Sequence, residues 1–262
     1  MAVIWIGSGR FGIINPAQAY ITAVEAADGQ ALEQGVKDAI TDFVTGCQED
    51  GIWSAIKACC IMAGARTLAG ALVPLVGAAP TNVGFVAGDY NRKTGLKGDG
   101  ISKYLVTGVT LNDVSNDNFS LAANITEPHT AGSAGWVSAQ TGNTAVYLGR
   151  YNGGLQDGVQ AGTEVTRAAY TGTSRAGFHG GVGTSLSSRS YFYSGSTVAT
   201  NTATVAKITG ATQYTVFRTA VSVSGQISNP RMSFYSIGLG LDLQLLNNRV
   251  TALANAIAAA IP

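Results

Sequence analysis

The stretch RSYFYSGSTVATNTATVAKI, residues 189–208, decides how this chain is read. Aromatic and β-branched residues alternate there with Ser, Gly, Asn and Thr, and no helical period runs through them. Working outward, the same character recurs in NFSLAANIT (118–126), NTAVYLG (143–149), TEVTRAAY (163–170), QYTVFRTAVSVSG (213–225) and RMSFYSIG (231–238). Many short strands divided by polar turns predict an antiparallel sandwich. A parallel sheet would need crossover helices, and residues 81–238 offer no pattern for one.

The flanks differ. Residues 1–30 read as an irregular arm with one short strand, Ala2 to Ile6, followed by turn-forming glycines and Pro16. From residue 30 the apolar Leu32, Val36, Ile40, Phe43, Val44 and Cys47 recur at helical spacing. Ile52, Trp53, Ile56, Cys59 and Cys60 suggest a second helix, and Leu68 to Leu72 a short third one ending before Pro74. Residues 239–261 return to helical spacing through Leu246, Val250, Leu253, Ile257 and Ile261, a stripe suited to cover one face of the sandwich or to pack on copies of itself. The expected fold is therefore α+β and mainly β, with an arm at 1–30, a helical domain at 31–80, and a sandwich with a C-terminal helix at 81–262.

Composition removes several functions. Charged residues make up 12% of the chain, about half the usual share, and its 34 glycines suit a turn-rich fold. Residues 1–80 carry four basic and seven acidic side chains, and the densest basic run is only Arg92, Lys93, Lys97 and Lys103. A phosphate-binding surface needs a basic stripe, so nucleic acid is not an expected partner. The three cysteines Cys47, Cys59 and Cys60 read as reduced thiols, and His129 and His179 lie too far from them for a zinc site. The apolar region 55–80 is broken by Lys57, Arg66 and Pro74, so a soluble chain without membrane insertion is expected.

Catalytic and cofactor motifs fail on context. GSGRFG, residues 7–12, matches G-x-G-x-x-G, but Pro16 follows too soon for a phosphate-facing helix, which leaves a glycine-rich turn. GDYNRKT, residues 88–94, has Arg92 where a phosphate loop needs glycine and reads as a polar turn. A glycosidase needs paired carboxylates, yet no Asp or Glu occurs between Glu164 and Asp242. Asp157 and Glu164 are the nearest candidates, with Glu127 farther off. Asp113, Asn116, Asp117 and Asn118 offer oxygen ligands for calcium, but they lack EF-hand spacing and are ordinary turn formers. Trp136, Tyr147 and Tyr151 suit either a sugar-stacking platform or the core of a strand pair. No catalytic, cofactor-binding or metal-binding residue is assigned.

Three blocks, GIWSAIKACCIMAGARTLAGALVPLVG (51–77), FVAGDYNRKTGLKGDGISKYL (85–105) and RMSFYSIGLGLDLQLLNNRVTALANAI (231–257), together resemble virion structural proteins of bacteriophages and prophages. The resemblance implies a laminin-G or concanavalin-like jelly roll behind a small helical domain. It also implies a non-enzymatic role as a tail fibre or receptor-binding component. The alternatives are head decoration or a lectin-like carbohydrate-binding module, whose glycan contacts would include the loop Asp113 to Asn118 and the region Trp136 to Asn152. The partners implied are copies of the chain in a trimer, other phage structural proteins docked through the N-terminal arm, and host surface glycans. No cofactor is implied, and the location is the virion, assembled from protein made in the bacterial cytoplasm.

Overall fold

The computed structural model describes residues 3–6, 10–13, 15–130, 132–151, 156–169, 175–219 and 226–262. The chain opens with an antiparallel hairpin, β1 (Val3–Ile6) and β2 (Arg10–Ile13), in which Val3 lies opposite Ile13 and Ile6 opposite Arg10. Ala2, the expected start of the first strand, is outside the described residues. The stretch expected to be irregular up to residue 30 instead holds a helix, α1 (Pro16–Asp28). Pro16 occupies its first turn, where a missing N–H costs nothing, and the Asn15 side chain accepts from Ala17 N at 3.0 Å. Gly29 ends it in the left-handed conformation, φ 68°.

Helix α2 (Gln34–Glu49) follows the predicted apolar spacing and buries Val36, Ile40, Phe43, Val44 and Cys47. The second predicted helix is a strand, β3 (Ile56–Ile61). Its apolar run is buried on both faces, with Cys59 and Ile61 in one core and Ala58 and Cys60 in another. A segment buried on both sides loses the alternation that separates strand from helix in sequence. The short third helix is present as α3 (Leu68–Ala71).

Next come β4 (Thr81–Val83), β5 (Tyr90–Asn91), β6 (Gly95–Lys97), β7 (Tyr104–Thr110) and β8 (Phe119–Glu127). The central strands are β9 (Ala134–Thr141), β10 (Thr144–Tyr151), β11 (Gln156–Gly162) and β12 (Glu164–Ala169). After them run β13 (Gly177–Ser185), β14 (Ser188–Tyr193), β15 (Ser196–Asn201), β16 (Gln213–Val216) and β17 (Arg231–Gly238), and the chain closes with helix α4 (Leu243–Ala260). Tyr170 and residues 220–225 of the predicted strands lie outside the described residues.

The strands build two antiparallel sheets. One runs β12-β11-β10-β9-β16-β7-β4; the other runs β15-β14-β13-β8-β17-β6-β5, with β3 also paired to β17. The molecule is mainly β, with few helices and a C-terminal helix. Between the sheets lies a core that includes Phe119, Leu121, Trp136, Leu148, Tyr191, Tyr214, Tyr235 and Ile237. The opposite face of the eight-stranded sheet packs Phe178, Phe192 and Phe234 against the buried residues of α1, α2 and α4. Each such large apolar side chain contributes roughly 1.5–3 kcal/mol on burial.

The C-terminal stripe covers the sandwich: Leu243, Leu246, Val250, Leu253 and Ile257 are all buried. Two glycines of β13 permit the close layering. A Cβ at Gly180 would meet Leu243 of α4 at 2.9 Å, and one at Gly181 would run into Val159 of the facing sheet. Arg249 then pins α4 to the end of α2 through two contacts with the Asp50 carboxylate, 2.7 and 2.9 Å.

Candidate functional site

The described helices α1, α2 and α4 pack on the eight-stranded sheet, and a side-chain pocket of about 320 Å³ opens on the outer face of the seven-stranded one. Alternation along β10 builds it. Val146 and Leu148 point into the inter-sheet core, so Ala145, Tyr147 and Tyr151 belong to the other face. Register brings their neighbours alongside: Tyr147 lies opposite Ser138 of β9 and Gln160 of β11, and Ala145 lies opposite Gln140. The pocket is lined by Gln140, Asn143, Tyr147, Tyr151, Gln160 and Gln226, with Thr219 and Arg150 at its walls.

The floor is fixed before any ligand arrives. The Tyr147 hydroxyl donates to Arg150 O at 2.8 Å, and its ring meets that of Tyr151 edge to face at 4.8 Å. Gln140 Nε2 donates to Gly142 O at 2.8 Å and Gln160 Nε2 to Gly162 O at 2.9 Å. Each glutamine is thereby oriented with its side-chain carbonyl still able to accept. Burial pushes both tyrosine phenols above their ordinary range, so they stay neutral. Arg150 is almost fully buried and donates to His129 O at 2.5 Å. No carboxylate is among the described residues lining the pocket. Beside the buried Arg150, the arrangement provides neutral donors, neutral acceptors and aromatic edges.

The sequence candidates separate. Tyr147 and Tyr151 line the pocket, whereas Trp136 is a core residue with its ring centre 4.5 Å from that of His179. Asp157 is fully buried and lies opposite Ala168, while Glu164 lies opposite Ala161. Four residues of β11 separate these positions, roughly 13 Å at the usual strand rise, beyond the separation of about 5–9.5 Å that glycosidase carboxylates keep. Glu127 is engaged by Lys97 and Arg231, each at 2.5 Å.

The loop considered for calcium spends its oxygens internally. Asp113 accepts from Thr110 N at 2.8 Å, Asp117 pairs with Lys207 at 2.6 Å, and Asn118 accepts from Gly240 N at 2.7 Å. Asn116 is buried and bonds Ala206 O and Ile208 N, each at 2.8 Å. Among the described residues no group of three His, Cys, Asp or Glu is placed to hold a metal. Of GSGRFG, residues 7–9 lie outside the described residues, and Gly12 sits in β2 opposite Ile4, in an antiparallel hairpin and not at a strand-to-helix turn. In the other glycine motif, Asn91 Oδ1 accepts from Lys93 N and Thr94 N, a side-chain-stabilised turn. Gln140 and Asn143 fall within the Trp136 to Asn152 region expected to contact glycans, whereas Gln160, Thr219 and Gln226 carried no sequence signal, because isolated amides and hydroxyls in strands and turns are ordinary.

A mainly antiparallel two-sheet sandwich with a neutral, aromatic-floored pocket on its open face defines the class of this protein. No family model and no curated protein matches the chain. Among solved structures it is similar to a mutant of Trypanosoma rangeli sialidase displaying trans-sialidase activity, at 12% identity and a TM-score of 0.51, over 84% of this chain and 39% of that one. It is also similar to the botulinum neurotoxin serotype C1 binding domain, at 11% identity and a TM-score of 0.49, over 78% of this chain and 52% of that one. A third likeness is to domain 4 of AbnA, an extracellular arabinanase from Geobacillus stearothermophilus solved with arabinotriose, at 13% identity and a TM-score of 0.41, over 68% and 82% of the two chains. The chain thus spans well under half of the sialidase. The first of these likenesses carries the sandwich fold and no more.

Proposed function

We propose that this protein is a non-enzymatic, lectin-like module that binds neutral glycans in the pocket on the open face of the seven-stranded sheet. The observation that carries the proposal is the lining itself: oriented amides and two neutral tyrosines around about 320 Å³. A sugar presents hydroxyls that both donate and accept, and C–H faces that pack on aromatic rings, so it matches such a lining. Chain crossings between the sheets, from β8 to β9, β12 to β13 and β16 to β17, support the jelly-roll type of sandwich as part of this proposal. The test is an array of surface glycans probed with the full chain, followed by calorimetry on Tyr151→Ala and Gln160→Leu. Each substitution is expected to weaken binding about tenfold or more, about 1.4 kcal/mol. An array on which the full chain binds no glycan would reject it.

One observation favours an assembly role beside it. Among the described strands, β1 and β2 pair only with each other, and an isolated hairpin is marginal in water. This supports the expected arm, which would dock the module on a virion, as a tail fibre component or a head decoration and as a trimer, by adding a strand to a neighbour's sheet edge. Antibody labelling of purified particles tests it: particles without the chain refute the virion setting and leave the glycan proposal standing.

A further inference from the structure

A second pocket of about 330 Å³ lies on the other side of the molecule, between α4 and the eight-stranded sheet, and we infer that it is a separate binding site for one neutral sugar residue. Its lining interrupts a core that is otherwise apolar. Asn124 on β8 lies opposite Phe178 of β13 and Phe234 of β17, both members of the helix-side core. Asn247 sits four residues beyond Leu243 in the apolar stripe of α4. These two amides are 9% and 8% exposed, and they face the same cavity. Burying a polar group there is costly unless something satisfies it.

The protein satisfies them only in part. Asn124 Nδ2 donates to Ser233 Oγ at 2.8 Å, and Asn247 Nδ2 makes one long contact, 3.4 Å, with Asn248 Oδ1. Among the described residues no donor reaches either side-chain carbonyl. Asn247, Thr251 and Asn255 lie four residues apart in turn, one row along α4, about 12 Å from end to end. Ser194, in the turn after β14, closes the rim. Phe178, buried in the helix-side core, backs the cavity from behind. Every polar side chain of the lining is uncharged, which selects a neutral ligand, and the volume is at the lower end of ligand pockets, roughly 300–1,000 Å³. One sugar residue fits such a space better than a chain. This site stands independently of the one on the open sheet face, and together they make the module two-sided.

The experiment is a titration of the full ¹⁵N-labelled chain with methyl glycosides of glucose, galactose, mannose and N-acetylglucosamine, read at the side-chain amide resonances of Asn124, Asn247 and Asn255. Saturable shifts are expected for at least one sugar, with a dissociation constant on the order of 1 mM. Asn247→Leu, which continues the apolar stripe, is expected to weaken this binding about tenfold without lowering Tm. Thr251→Val provides the same loss from an exposed position that folding does not need. Gln160→Leu, in the other pocket, is expected to leave these shifts unchanged. Silent amides across the panel, equal shifts in both α4 variants, or only ordered water in sugar-soaked crystals would each overturn the inference. If the amides stay silent while glycan-array binding persists and is lost in Gln160→Leu, this second site fails and the first stands.

Discussion

Acidification from pH 8 to pH 5 is expected to remove about 4 kcal/mol of stability, because two buried histidines are held neutral. His179 is fully buried between the sheets, with Nε2 2.9 Å from Arg175 O and Nδ1 2.7 Å from Tyr191 Oη. A backbone carbonyl can only accept, so the proton sits on Nε2 and the tyrosine hydroxyl donates to Nδ1. Burial, and secondarily the nearby Arg175, lowers its pKa to about 3. His129 accepts from Asn229 N at 3.1 Å, and burial, with Arg150 beside it, lowers its pKa to about 4. Both folded values lie below the unfolded value of about 6.5, so the unfolded chain takes up protons first as pH falls. Stability is therefore complete above that value and declines through it, by about 1.4 kcal/mol per pH unit per histidine, until the folded groups titrate. At pH 5 each costs about 2 kcal/mol, against a total stability of roughly 5–15 kcal/mol for a typical domain. Carboxylates such as Glu33, Asp50 and Glu127, lowered by their Arg and Lys partners, add their own loss only at lower pH. Urea unfolding at several pH values measures this, with the midpoint expected to fall by about 1–2 M. A double variant, His129→Gln with His179→Gln, should be less stable at pH 8 yet nearly flat down to pH 5. A flat profile in the parent chain, or an undiminished slope in the double variant, would refute the reasoning.

Three further outcomes are expected. Burial raises the Cys47 and Cys60 thiols to about 12 and Cys59 well above its usual range, so a thiol reagent at pH 8 should label the native chain only as fast as it unfolds; rapid stoichiometric labelling would contradict the packing. Asp28 accepts from Arg66 N at 2.6 Å, Thr67 N at 2.8 Å and Thr67 Oγ1 at 2.7 Å, tying the end of α1 to the start of α3. Asp28→Ala should cost about 2–3 kcal/mol in denaturant unfolding, and a change under about 0.5 kcal/mol would show that the tie is replaceable. Glycan binding on the open face should be nearly independent of salt from about 0.05 to 0.5 M, because among the described lining residues the one charge, Arg150, is buried and bonded to His129 O; an affinity that falls steeply with salt would mean that an acidic sugar is the true ligand.

What the sequence disclosed and what it hid follow from burial. Strands with one apolar face, such as β10 with Val146 and Leu148 in the core, announced themselves by alternation. α2 and α4 did so by their stripes, because each packs one face and leaves the other wet. β3 was read as a helix because a strand sandwiched between a helix layer and a second sheet is apolar on both faces, here in all but Lys57. α1 was missed because Pro16 looks like a breaker when it is in fact the favoured first-turn residue after an Asn cap. The pocket was half legible: Tyr147 and Tyr151 stood out as aromatics, but Gln160 and Gln226 join them only through register and chain crossings that span many residues.

Charge scarcity and site chemistry converge on the same ligand. A chain with 12% charged residues has few ions to offer any partner, and several of them are already paired or buried. Lys97 and Arg231 hold Glu127, Lys207 holds Asp117, Arg249 holds Asp50, and Arg150 turns inward to His129 O. Both pockets are left to amides, hydroxyls and aromatic rings. Such groups discriminate by the geometry of hydrogen bonds rather than by charge, and each unmatched one would carry a desolvation cost of about 1–3 kcal/mol. A ligand dense in neutral donors and acceptors meets that requirement, whereas a phosphate, a nucleic acid strand or a basic peptide would leave its charges uncompensated. The division of the molecule fits this proposal: one sheet spends its outer face on a helical layer that secures the fold, and the proposed glycan pocket lies on the outer face of the other.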